Sequence, residues 1–344
     1  MEVGATTGLK GRTVAIGRYA DPVRAPLSTV VVIATFQRPE YVEECLAHLE
    51  RQTVSPDRIV VVDASPNDLT HEVVTRHPGV EYRRNPLGVG HTATSRAIGV
   101  EGAEEQIIAF IDDDAYADAD WLERLLEPYA DAGVAAVGGR ARNGQPDEEH
   151  DGIGQIGLLL PDGRLTGYFA AAPDRAVEVD HMLGANMSVR ASVVRELGGI
   201  RDFYPGTCLR EETDIALRMR RRGLRIVYTP FAVVEHVGGR YARGRRFDSR
   251  YRYFGARNHV VLLATTLGWR DPHVRTYGRT VLRMTRREVI AGLRALKQRD
   301  GARAKLRGLG GAVQRASLDL VGTVAGVAAA LRATSGSRRR GSPA

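Results

Sequence analysis

One short stretch constrains this chain more than any other. Ile107-Ile108-Ala109-Phe110-Ile111 runs straight into Asp112-Asp113-Asp114. Five consecutive apolar residues have the length of a strand buried on both faces. Three adjacent carboxylates repel one another and gain nothing from burial, so they belong where that strand ends. Carboxylates one residue apart can supply oxygen ligands to Mg2+ or Mn2+ beside a phosphate. An Asp-rich loop that caps the next helix accounts for the same residues, and the rest of the chain decides between the two.

The pattern before this stretch is regular. Residues 29–34 form a β-branched run typical of a buried strand. A loop follows, and Pro39 suits the first turn of a helix whose Val42, Cys45, Leu46 and Leu49 make one apolar stripe. Residues 58–63 repeat the strand and again end in a carboxylate, Asp63, before turn residues and a helix over 69–76. A short strand at 80–83, a Gly-containing loop at 85–90 and a helix at 91–100 complete the approach. After the carboxylates, Trp121, Leu122, Leu125, Leu126 and Tyr129 mark another helix, and 134–139 another strand. Strand–helix alternation at this spacing predicts an α/β fold around a parallel sheet. Ligands of such sheets bind outside the strand C-termini. Thr35, Arg38, Asp63, Ser65 and the three aspartates all fall on that edge, which favours the metal account over the cap.

Residues 140–178 are rich in Gly and Asp and predict an excursion with a hairpin near 157–169. Residues 185–190 lead into a helix at 191–197. Glu211-Glu212-Thr213-Asp214 opens a helix whose Arg-rich end suits the helix dipole, and strands at 225–228 and 232–234 run into Glu235-His236.

Charge divides the chain unequally. The net charge of +8 combines 24 basic and 5 acidic residues from Arg240 onward, a net of +19, with 25 basic and 36 acidic before it, a net of −11. A basic third of this length points to an anionic partner. A binding protein led by that region is therefore one alternative class, for a membrane surface or nucleic acid. No RNA-recognition or helix-turn-helix signature supports nucleic acid, and none is expected as partner. Residues 277–296 predict a basic helix, 318–331 a mild apolar stretch too short to span a bilayer, and 335–344 a disordered tail. No run of 18 uninterrupted apolar residues predicts a spanning helix, and residues 1–28 read as a leader or edge addition without a signal peptide. Two distant cysteines, Cys45 and Cys208, make neither a disulfide framework nor a zinc pattern, which suits a reducing compartment.

Several chemistries are excluded. No Gly-x-Gly-x-x-Gly follows the first strand, and there is no P-loop and no Gly-x-Ser-x-Gly elbow. A nucleotidyltransferase would show a Gly-rich Lys/Arg signature where Ala34-Thr35-Phe36-Gln37-Arg38 stands.

In five places the chain resembles the inverting glycosyltransferases of family 2, of the bacterial rhamnosyltransferase-like kind. These are residues 31–39, Val61-Val62-Asp63-Ala64-Ser65, Phe110-Ile111-Asp112-Asp113-Asp114, Gly184-Ala185-Asn186-Met187, and 211–218 followed by Val-Val-Glu-His ending at His236. The resemblance covers about residues 30–236. It implies a GT-A fold: a mostly parallel central sheet flanked by helices. A nucleotide-binding half would occupy 29–139 and an acceptor half 140–239, with a helical basic extension over 240–334. It also implies a nucleotide-diphosphate sugar donor and a hydroxyl acceptor, lipid-linked in the membrane version of the reading, with the enzyme cytoplasmic and peripheral on the inner membrane face.

The same resemblance assigns roles. Thr35, Arg38, Asp63 and Ser65 would line the nucleotide pocket, Arg96 would reach the diphosphate, and Asp112, with Asp113 beside it, would bind the donor. Asp114 and His236 would hold the divalent cation, Mg2+ or Mn2+. Glu212 would be the catalytic base, because it takes the place of the family's usual Asp, with Glu211 and Asp214 as alternatives. Gly184 and Asn186 would lie on the acceptor side.

Overall fold

The structure, a computed structural model, describes residues 27–238, 249–296 and 302–339. Most of the expected leader, residues 239–248 and 297–301 and the last five residues lie outside these. Leu27 packs on the core, and Ser28 already bonds to Gln106.

A nine-stranded sheet carries the fold. β1 (Thr29–Thr35), β2 (Arg58–Asp63), β3 (Val80–Arg84) and β4 (Ile107–Asp112) pair in parallel in the order β3-β2-β1-β4. The sheet continues through β8 (Asn186–Arg190), β6 (Val134–Arg142), β9 (Arg225–His236) and β5 (Ala115–Ala117), with β7 (Val177–Glu178) also on β9. β6 and β9 point the same way as the first four strands, while β5, β7 and β8 run against them. The sheet is therefore mostly parallel, as expected, with one reversal at its centre.

That reversal is a difference from the strand–helix alternation. Residues 186–190, read as the approach to a helix, are a central strand. Its polar residues hide it: Asn186 Oδ1 accepts from Trp121 Nε1 at 2.8 Å, and Ser188 Oγ pairs with Tyr129 OH at 2.9 Å. Buried polar side chains satisfied in this way sit in a core without an apolar run.

Alternate strand residues face opposite sides. Val31, Ile33, Val61, Ile107 and Ala109 meet α1 (Pro39–Glu50), α2 (Leu69–Val74) and α4 (Trp121–Leu126). Val30, Val32, Val60, Val62 and Phe110 meet α3 (Thr92–Val100), α5 (Ala191–Glu196) and α6 (Glu211–Arg221). A hairpin near 157–169 forms as expected, closed by Leu160 N to Arg164 O and Thr166 N to Leu158 O.

The basic third is helical: α7 (Ser249–Thr266), α8 (Pro272–Ala295) and α9 (Ala302–Arg339). Asp271 caps α8 by accepting from His273 N at 2.8 Å. The apolar 318–331 stretch is only the middle of a 38-residue helix, so residues 335–339, expected as disordered, are helical. Residues 303–335 have the length and composition to cross a membrane, their most apolar 18-residue window reaching a mean hydropathy of 1.4. This corrects the expectation of no such helix. Scattered Gly, Ala, Ser and Thr keep the apolar run broken while leaving the average high.

α9 packs on α7 through Gly322 and Gly326. A Cβ at either would lie 2.6 Å from a backbone oxygen, of Tyr253 and Arg257 respectively. Arg252 joins the three helices by pairing with Asp319 and Glu288. Tyr204, Leu217, Val261, Leu262, Ala264 and Ala330 form a further core that seats α7 and α9 against α6.

Two buried histidines pin the hairpin. His181 Nε2 donates to Thr166 O at 2.8 Å and His259 Nε2 to Gly163 O at 2.7 Å. Burial, with Arg210 adding to it, lowers His181 to about 4 and His259 to about 3. Both are neutral when folded but take up a proton in the unfolded chain below its ordinary value near 6.5. Stability is thus complete above that value and falls as pH drops from there toward 4. Each histidine contributes a slope of about 1.4 kcal/mol per pH unit in that window. Urea unfolding of His259→Gln across pH 4–7 should show the slope reduced by one proton's worth. An unchanged slope would mean His259 is not buried neutral.

Candidate active site

Strand register builds the site. Thr35 of β1 lies beside Asp63 of β2, and Ala34 lies beside Asp112 of β4, so the polar residues at three strand ends share one edge. Asp63 is fully buried and accepts from Ser65 N at 2.8 Å, from the Ser65 hydroxyl and from Tyr82 OH at 3.0 Å. Over it opens a cavity of about 520 Å³ lined by Phe36, Ser65, Pro66, Arg84, Asn85 and Gly88, among others.

The three aspartates part company. Asp113 turns inward with no exposed surface, accepting from Thr35 Oγ1 at 2.6 Å and forming an ion pair with Arg38 Nη2 at 2.7 Å. Burial pushes its carboxyl up to about 7, with Arg38 opposing. Arg38 also reaches Asp114 Oδ2 at 2.8 Å. The other Asp114 oxygen lies 3.3 Å from His236 Nε2, because β5 and β9 pair Ala115 with His236. Burial works to raise Asp114, but hydrogen bonding to His236 and the Arg38 charge hold it below the usual carboxylate value. Ligand atoms of Asp112, Asp114 and His236 all lie within 4.8 Å of one another. Two carboxylate oxygens and one imidazole suit a hard divalent ion that tolerates nitrogen, Mn2+ as well as Mg2+. None of the three aspartates caps a helix: α4 starts only at Trp121.

Arg96 of α3 ties this edge to α6. Its guanidinium, 3% exposed, donates to Asp112 Oδ1 at 3.1 Å, to Gly184 O at 2.9 Å and to the Glu211 carboxylate. A Cβ on residue 184 would sit 2.7 Å from it, so Gly184 is a glycine because of Arg96. Burial raises the Glu211 carboxyl while Arg96 opposes. Glu212 is only partly buried and forms no ion pair among the described residues. Its near contact is Thr213 Oγ1 at 3.5 Å, and burial raises its carboxyl too.

Comparison with known proteins bears on this arrangement. Residues 30–198 match the profile of Glycosyl transferase family 2. Residues 30–198 are a family 2 glycosyltransferase domain. It is 23% identical over 212 residues to a Salmonella typhimurium protein named as an O-antigen chain rhamnosyltransferase, covering 61% of this chain and 66% of that one. It is 27% identical over 183 residues to the Mycobacterium tuberculosis pre-mycofactocin glycosyltransferase, covering 52% of this chain and 37% of that one. The chain thus spans less than two thirds of the length of these relatives. A solved structure of a Pyrobaculum calidifontis mannosyltransferase, in complex with GDP-Man and Mn2+, superposes with a TM-score of 0.57 at 18% identity over 90% of this chain and 91% of that one. The fold is GT-A.

Within this family 2 domain, the expected residues divide. Thr35, Arg38, Asp63, Ser65, Arg96, Asp112, Asp114 and His236 gather at the strand edge. Asp113 and Thr35 are buried beneath it, and the Arg96 guanidinium is taken up by two carboxylates and a carbonyl. Asn186 is corrected: it is fully buried and satisfied by Trp121, Arg140 O and Ala232 O, so it locks β8 to its neighbours and faces no acceptor. Gly184 lies against the Arg96 guanidinium. Asp214 is withdrawn as a base. It is 1% exposed, accepts from Arg201 at 2.6 and 3.0 Å, Tyr204 OH at 2.8 Å and Thr266 Oγ1 at 3.1 Å, and forms an ion pair with Arg218 at 2.9 Å.

Sequence reasoning missed the cavity walls Phe36, Arg84 and Asn85, and the Tyr82 hydroxyl on Asp63, although the loop at 85–90 marked the place. It also placed Asp112 on the donor, apart from Asp114 and His236, with which it makes up the cluster that could hold a metal ion. Removing Arg96 strands two carboxylates near one another, Glu211 deeply buried. Arg96→Leu should lose about 3–5 kcal/mol in urea unfolding, whereas Glu212→Gln should stay within about 1 kcal/mol.

Proposed function

We propose that this family 2 domain is a metal-dependent inverting glycosyltransferase, moving a sugar from a nucleotide-diphosphate sugar to a hydroxyl acceptor. The observation that carries the reading is the Asp112, Asp114 and His236 cluster, on the same sheet edge as the cavity above Asp63. Residues 29–139 act as the donor half and 140–239 as the acceptor half.

The cavity walls take the nucleoside: Phe36 and Pro66 offer apolar faces, Arg84 and Asn85 polar edges. Asp112, Asp114 and His236 would hold Mg2+ or Mn2+, which when bound neutralises charge growing on the departing diphosphate. Inversion needs one base on the face opposite the leaving group. Glu212 suits this: it is only partly buried, no arginine forms an ion pair with it among the described residues, and burial raises its carboxyl above the ordinary carboxylate value, the direction a base needs. Glu211 is neutralised by Arg96 and sets the angle of α6. The named O-antigen role of the Salmonella relative supports a cell-envelope polysaccharide or glycolipid product, and the mannosyltransferase complex with GDP-Man and Mn2+ supports the donor class and the cation.

The helical third supports work at the inner membrane face on a lipid-linked acceptor. Only 22% of the most apolar window of α9 is buried, and Val321 and Val324 are 59% and 69% exposed, on a region of net charge +19. Exposed apolar side chains among arginines match an anionic lipid surface.

Two measurements test this. With Mn2+ and a panel of nucleotide sugars, Glu212→Gln should lower kcat by about 10²–10⁴-fold with nucleotide binding intact. Asp114→Asn should abolish the metal response, and full turnover in either variant would remove the role given to that residue. Separately, the full chain should co-sediment with phosphatidylglycerol vesicles and not with phosphatidylcholine alone. Val321→Asp with Val324→Asp should weaken that binding by about tenfold or more; equal binding to both lipids would end the membrane reading.

A further inference from the structure

Arg38 and Arg96 both face the acidic corner, but they are held differently. The Arg96 side chain is 4% exposed and donates to Asp112, Glu211 and the Gly184 carbonyl. The Arg38 side chain is 38% exposed and its guanidinium rests on Asp113 and Asp114. Nη1 donates to Asp114 Oδ2 at 2.8 Å. Nη2 lies 2.7 Å from Asp113 Oδ1, but that oxygen forms no hydrogen bond, so this second contact is charge pairing without directional geometry. Arg96 is fixed, whereas Arg38 is free to turn.

The backbone beneath Arg38 is not free. Phe36 and Ser65 are walls of the cavity above Asp63. Between Phe36 and Arg38, Gln37 has φ at +54° and its N–H donates to Ser65 Oγ at 2.7 Å. A non-glycine residue adopts this left-handed region only where surrounding structure holds it there. The Arg38 loop thus runs from a wall of the cavity to the carboxylates, which sets the side chain between the two.

Asp114 is shared by two sets of partners. One oxygen takes Arg38; the other lies 3.3 Å from His236, which with Asp112 completes the group of candidate ligands. A guanidinium and a divalent ion on one carboxylate repel each other whichever oxygen the ion takes.

We propose that Arg38 is a counter-ion that alternates between two anions: Asp114 when the site holds no nucleotide, and the donor's diphosphate when it does. This inference rests on the glycosyl-transfer reading. Diphosphate oxygens offer a guanidinium a bidentate partner. In turning to them Arg38 gives up Asp114, while Asp113 keeps the Thr35 hydroxyl at 2.6 Å. Nucleotide and divalent ion then favour each other's binding, by the same factor in both directions. The empty site holds the ion weakly because Arg38 stands in for it.

Calorimetry on the full chain tests the exchange, with Mn2+ alone and with Mn2+ plus GDP, UDP or dTDP. Arg38→Met should bind Mn2+ alone more tightly by about fivefold or more, and the nucleoside diphosphate with Mn2+ more weakly by a similar factor. A residue that merely supported the cluster would move Mn2+ binding the other way. Weakened or unchanged binding of Mn2+ alone in this variant overturns the exchange, and so does an unchanged affinity for the nucleoside diphosphate. Should Arg38→Met fail to fold because Asp113 is stranded, Arg38→Met with Asp113→Asn is compared with Asp113→Asn alone, and the same tightening toward Mn2+ is expected. Absence of any nucleotide binding with Mn2+ in the unaltered protein overturns the glycosyl-transfer reading instead.

Discussion

The buried Arg96 guanidinium is the interaction on which the site depends. It joins the end of β4, the Gly184 loop and the start of α6, three segments that no backbone pairing brings together at that point. Taking a guanidinium out of water is costly, and only close multiple acceptors offset it. Arg96 has them: two carboxylates, one carbonyl and the Phe110 ring 5.4 Å away. Burial opposes its charge, but Glu211 and Asp112 hold it protonated. The consequence is a division of labour between adjacent glutamates. One is neutralised and fixes the helix; the next makes no ion pair among the described residues. On the proposed reading, a Glu-Glu pair in place of the family's usual Glu-Asp costs the site little, because only the second must reach the acceptor.

Asp214 does for the back of α6 what Arg96 does for the front. Four partners hold its carboxylate, among them Thr266 at the end of α7 and Tyr204 in the third core. The helix bearing the proposed base is therefore clamped between the sheet and the helical third. The C-terminal region is not an appendage: α7 packs on α6, and α9 closes on α7 where Gly322 and Gly326 let the backbones meet.

What the sequence made legible follows from how each part is stabilised. Strands β1, β2 and β4 are buried on both faces, so hydrophobic burial alone wrote them as unbroken apolar runs. Their carboxylate ends, at Asp63 and Asp112, were legible for the same reason: polarity appears where burial stops. β8 was not legible, because Asn186 and Ser188 meet their hydrogen-bond partners from distant helices, and no local pattern announces Trp121 or Tyr129. Asn186 and Gly184 sit in a family motif, yet their contacts are structural. Asp214 reads like an active-site acid until Arg201, Arg218, Tyr204 and Thr266 are seen around it. α9 failed a test built on uninterrupted apolar runs because small residues serve its packing against α7.

Charge separation gives the helical third a physical role on the membrane reading. The residues before Arg240 carry a net of −11 and the remainder +19, so the molecule is polarised along its own architecture. Near an anionic surface the field attracts one part and repels the other, which orients the molecule before any apolar contact forms. Screening confines this effect to about 8–10 Å from the surface at physiological salt. Retention therefore falls to short-range burial, for which α9 exposes Leu306, Val313, Val321, Val324 and Leu331. Orientation by charge and retention by apolar contact are separable, because high salt weakens the first and leaves the second. The clamp at Asp214 then matters mechanically: a helix bundle held by lipid stays packed against α6, so the partly exposed carboxylate of Glu212 keeps a defined attitude to that surface.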